Sequence, residues 1–202
     1  MSEYRTHYPK FNVLNAEEHW DPHTREIVDK RLDTETFFPP QFFSEQEIVT
    51  LYHLCSVLLD DQRKPIIDFV VHHFDSTLSA SIGESQRKIG VPEQSTLIRG
   101  GLAMLNQVCS QRFGKDFTTL EENLKIQIVT ELMQGNLSFP STTQNIPVKD
   151  FANKILSESV AAYYSHPTTW SEIGYAGPAY PRGYVRSELG LTDPWEARRN
   201  GE

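Results

Sequence analysis

Apolar positions recur at helical spacing along five stretches of the chain. The clearest opens at Ser44, where Glu47 three residues on gives the spacing of a capping box, and Ile48, Leu51, Tyr52, Cys55, Leu58 and Leu59 follow as one stripe. Pro65 suits the first turn of a second helix, with Ile67, Val70, Val71, Phe74, Leu78 and Ile82 on its core face and Gly83 as its stop. A third runs from Leu97 to Phe113 through Ile98, Gly101, Leu102, Leu105, Val108 and Cys109, closed by Gly114. Thr119 and Glu122 repeat the capping-box spacing ahead of Leu120, Leu124, Ile128 and Leu132, and Gly135 ends that helix. Val148, Phe151, Ala152, Ile155, Leu156, Val160 and Tyr163 outline a fifth, stopped by Pro167.

No segment keeps a period-two alternation for more than a few residues, so the pattern predicts an all-α fold, a bundle of about five main helices. Gly100 and Gly101 inside the third helix each cost about 1 kcal/mol of helix propensity, which points to close approach of a neighbouring helix. Outside the bundle the pattern is irregular and aromatic. Before it, Asp21 followed by Pro22 marks a short peripheral helix, and Pro39-Pro40 in "FFPPQFF" forces an extended connection. The expected organisation is an N-terminal arm over 1–43, a helical core over 44–166 and a C-terminal arm rich in aromatics, Gly and Pro over 167–202.

Composition narrows the partners. A chain of 202 residues with 38% hydrophobic content can bury one sizeable core. Nineteen Lys and Arg against 27 Asp and Glu leave a net charge of −8, which repels phosphate backbones and anionic lipid surfaces, so no nucleic acid is expected. Because no run approaches the roughly 18 apolar residues of a spanning helix, no membrane insertion is expected either. Cys55 and Cys109, the only cysteines, fall on apolar helix faces and read as buried free thiols, although sequence spacing alone leaves a pairing between them open. The opening "MSEYRTHYPK" has neither a signal-type apolar run nor paired arginines, and the expectation is a cytoplasmic location.

Candidate chemistry is sparse. Asp68, His72 and Asp75 lie at i, i+4 and i+7, a spacing that offers three metal ligands and hence a small metal-dependent enzyme. The bland explanation is a solvated polar face opposite the apolar stripe. Nucleophile-elbow, Walker and dinucleotide-loop patterns are missing, and the acidic residues single out no acid and base pair. The C-terminal arm is the more informative feature. It carries Tyr163, Tyr164, Trp170, Tyr175, Tyr180, Tyr184 and Trp195 in a stretch without helical periodicity. Tyr, Trp and Arg dominate interface hot spots, and proline pre-orders an extended segment for docking. Such an arm suits a foreign surface, a second copy of the chain, or a fold-back over its own helices.

The run Trp170-Ser171-Glu172-Ile173-Gly174-Tyr175-Ala176-Gly177-Pro178 resembles a C-terminal motif of the gluconate 2-dehydrogenase subunit 3 family, and "FFSEQEIVTLYHLCSVLL" is similar to that family's first core helix. The resemblance extends from about Phe42 to Tyr184. It implies a small helical subunit without a cofactor of its own, accompanying a large FAD-dependent oxidoreductase of the glucose-methanol-choline (GMC) class that oxidises sugars, sugar acids or polyols. In several such complexes a cytochrome c subunit takes the electrons onward, and the small subunit supports folding, stability or export of its partner. No catalytic residue carries over. The motif transfers a partner-binding role to Trp170, Ile173, Gly174, Tyr175, Gly177 and Pro178, and composition extends it to Tyr180, Arg182, Tyr184 and Trp195. Family members bound for the periplasm often carry a twin-arginine leader, so export of this chain would depend on a leader carried by its partner.

Overall fold

A computed structural model describes residues 6–37, 39–80, 87–137 and 146–178, together with Gly183, Asp193 and 195–198. Among the described residues there are seven α-helices: α1 (Pro22–Lys30), α2 (Glu45–Leu59), α3 (Lys64–Ser79), α4 (Gln94–Phe113), α5 (Glu122–Met133), α6 (Val148–Tyr163) and α7 (Pro167–Ile173). Short 3-10 turns occupy Val13–His19, Thr34–Phe37 and Phe117–Thr119. No strand occurs among the described residues, and no helix of theirs is long and apolar enough to cross a membrane. The fold is all-α, and the five long helices α2 to α6 are those the apolar periodicity predicts.

Local devices set the helix ends. Ser44 and Glu47 form the capping box, the Ser44 amide donating to Glu47 Oε2 at 2.8 Å and the Glu47 amide to Ser44 Oγ at 3.3 Å. At α1, Asp21 accepts from the amides of His23 and Thr24. Gly114 closes α4 at φ 68°, a left-handed conformation that suits a residue without Cβ.

Two expected boundaries are corrected. Thr119 does not cap α5. Its hydroxyl donates to Asp116 O at 2.9 Å within a 3-10 turn, a turn anchored by the fully buried Phe117 and by Asn106 Oδ1, which accepts the Phe117 amide at 3.1 Å. Pro167 opens a helix instead of ending one, because proline lacks only an N–H that the first turn leaves unpaired anyway. Gly83 lies outside the described residues, and α3 ends at Ser79.

The chain divides into two compact units, Phe37–Ala162 and the combination of Met1–Thr36 with Tyr163–Glu202. The larger unit holds the main core, with Leu51, Ile67, Phe74, Ile98, Ile128 and Phe151 almost completely excluded from solvent. A Cβ placed on Gly101 of α4 would stand 2.2 Å from the Phe151 ring of α6, so the glycine is what lets the ring seat against the α4 backbone. Cys55 and Cys109 are free and buried. Burial pushes their thiols up to about 12 and about 11, which keeps them from acting as nucleophiles.

Candidate functional site

The smaller unit is built where the two ends of the chain meet. Its apolar centre is formed by Val13, Trp20 and Val28 from the N-terminal segment and Trp170 from α7. Trp170 is 5% exposed. Its indole N–H donates to Tyr164 O at 2.6 Å, the Arg31 guanidinium lies 5.4 Å from its ring centroid, and Tyr175 meets it edge-on at 5.3 Å. Arg31 also donates to Ser165 O at 2.7 Å. Side chains tie the N-terminal segment to α7 from both directions: Thr6 Oγ1 donates to Glu172 O at 2.6 Å, and the Val13 amide donates to Ser171 Oγ at 3.1 Å.

The motif glycines have a specific reason to be glycine. Gly174 ends α7 at φ 75° and its Cβ position would lie 2.5 Å from the Tyr8 ring; Gly177, at φ 79°, would bring a Cβ to 2.7 Å from Trp20. Left-handed backbone and a ring overhead both exclude a side chain. Tyr8 and Trp20, both from the N-terminal arm, therefore shape this motif. A cleft of about 360 Å³ opens beside it, bordered by Tyr8, Pro9, Phe11, Pro167 and Glu172.

The residues expected to bind a partner separate by exposure. Trp170 and Gly177 are buried within the unit, Gly174, Pro178 and Trp195 are partly buried, and Ile173 and Tyr175 are exposed at 46% and 38%. Tyr164, whose carbonyl holds the Trp170 indole, is 51% exposed. Tyr180, Arg182 and Tyr184 lie outside the described residues. The segment read as irregular also begins with a helix, since α7 includes Trp170 and Ile173.

The metal reading fails on geometry. Asp75 is 3% exposed and its carboxylate accepts three amides of the proline-rich connection, Gln41 at 2.7 Å and Phe42 and Phe43 at 2.9 Å each. Asp68, 6% exposed, is paired with Lys64. His72 stacks on Phe37 with centroids 4.4 Å apart, and burial lowers its pKa. These are therefore not a solvated face either. The two carboxylates are structural acceptors turned to different partners, and no group of three His, Cys, Asp or Glu among the described residues is placed to hold a metal. From α4, Arg99 completes the hold on the connection: it donates to Phe42 O at 2.6 Å, covers the Phe42 ring at 4.3 Å and pairs with Glu47 at 2.9 Å.

Long helices packed as a bundle, an aromatic terminal unit, buried free thiols and two buried carboxylates, one held by Lys64 and one by backbone amides, describe a small all-helical protein. The family of gluconate 2-dehydrogenase subunit 3 matches residues 45–177, well over half of the chain, and the chain belongs to that family. The matched region ends at Gly177, so it includes the Trp170–Gly177 motif and leaves Pro178, Tyr180, Arg182, Tyr184 and Trp195 beyond it. No curated protein and no solved structure matches the chain.

Proposed function

We propose that this chain is the non-catalytic small subunit of a dehydrogenase complex, binding and stabilising a large FAD-dependent GMC-type subunit that oxidises sugars, sugar acids or polyols. FAD belongs to that large subunit in this reading, and a cytochrome c subunit is a further candidate in the same complex. The family assignment supports the subunit role. The observation that carries the contact surface is the end of α7, where Ile173 and Tyr175 stay exposed around a Trp170 that is locked from behind by Tyr164 O and Arg31. Rigid aromatic and aliphatic side chains on a pre-ordered backbone lose little entropy on docking.

Co-expression tests the reading. The large subunit made with this chain should carry full flavin and activity, and without it should lose flavin, solubility or both. Ile173→Ser combined with Tyr175→Ser should break co-purification while leaving the isolated chain folded. Undiminished flavin and activity in a large subunit made alone removes the proposal.

A further inference from the structure

Lys125 of α5 is a buried lysine whose side chain is 8% exposed. Its carboxylate neighbour, Glu122, stands 3.9 Å from Nζ, beyond hydrogen-bond reach. What Nζ meets instead is His53 Nδ1 of α2 at 3.3 Å. An ammonium has donors only, so His53 must offer the Nδ1 lone pair, with its proton on Nε2 and the ring neutral. Protonating the ring deletes that acceptor and sets two cations together in a partly dry site, where repulsion is several times stronger than in water. Tyr52 lies edge-on to the imidazole at 5.8 Å. Burial first, and then Lys125, disfavour a charged His53, while Glu122 favours it.

We propose that His53 is an acid-operated latch on the α2–α5 seam: neutral, it joins the two helices through Lys125; protonated, it drives them apart. The direction of the effect follows from proton linkage. The folded state holds His53 below its ordinary value, so the unfolded chain takes up the proton first as pH falls through about 6.5. Stability from the latch is complete above that pH and is lost on acidification down to the folded value. The device sits in the bundle and does not rest on the accessory role proposed above.

The test compares urea unfolding of the full chain and of His53→Gln from pH 8 to pH 5. Glutamine can accept from Lys125 but does not titrate. Below pH 6.5 the folding constant of the wild type should fall faster than that of the variant, by up to about tenfold per pH unit, while the remaining histidines act equally in both. Parallel pH profiles would overturn the latch. Should the variant not fold, an NMR titration of His53 in the wild type decides: a midpoint below about 6.5 that rises in Lys125→Met supports it, and a midpoint at or above that value refutes it.

Discussion

Gly101 in the bundle and Gly177 in the terminal unit both lie under an aromatic ring, yet the two contacts are made differently. At Gly101 two regular helices approach, and the glycine removes a side chain from one so that Phe151 of the other can enter. At Gly177 the backbone itself takes the left-handed turn, and Trp20 arrives from the other end of the chain. The bundle is organised by periodic stripes within each helix. The terminal unit is organised by pairings between segments far apart in sequence, secured by side chains bonded to backbone.

The largest expected effect lies in the bundle at Asp75. Asp75→Ala strands three amides of the Phe42 connection and should cost about 4 kcal/mol in denaturant unfolding; a loss below about 1 kcal/mol would mean the connection has other acceptors. Gly101→Ala drives a Cβ into the Phe151 ring and should cost about 3 kcal/mol, recovered in part by Phe151→Leu in the double variant. Gly177→Ala should cost about 2 kcal/mol from backbone strain and the Trp20 clash, read as faster hydrogen exchange in Val13–His19 and Pro167–Ile173. Equal or greater loss at Gly177 than at Gly101 would contradict the ranking of the two contacts. Ser44→Ala, which breaks the capping box, should cost about 1 kcal/mol. Smallest of all, a thiol reagent should leave Cys55 and Cys109 unmodified in the folded chain and label both in urea, since burial holds each thiol protonated.

Where local chemistry is enough, the sequence was readable. The Ser44–Glu47 cap, the Asp21-Pro22 start, the Gly114 stop and the five stripes depend on residues within a few positions of one another. The glycine pair in α4 even forecast a tight helix approach, met by Phe151. Thr119 misled because its spacing suits a cap, while the pull of buried Phe117 produces a separate turn. Asp68 and Asp75 misled because a period of 3.6 distinguishes faces of a helix but not what covers them. A carboxylate facing the amides of a proline-rich connection has the same sequence signature as one facing water.

The amino-acid order alone determined an all-α chain, the positions of its long helices and membership of a subunit family, because periodicity, caps and a short motif are local properties. Tertiary structure decided which rings lie on which glycines, that Trp170 is enclosed while Ile173 and Tyr175 face outward, and that Lys125 leans on His53. Those outcomes depend on which distant segments come into contact, and burial and electrostatic environment exist only once they have.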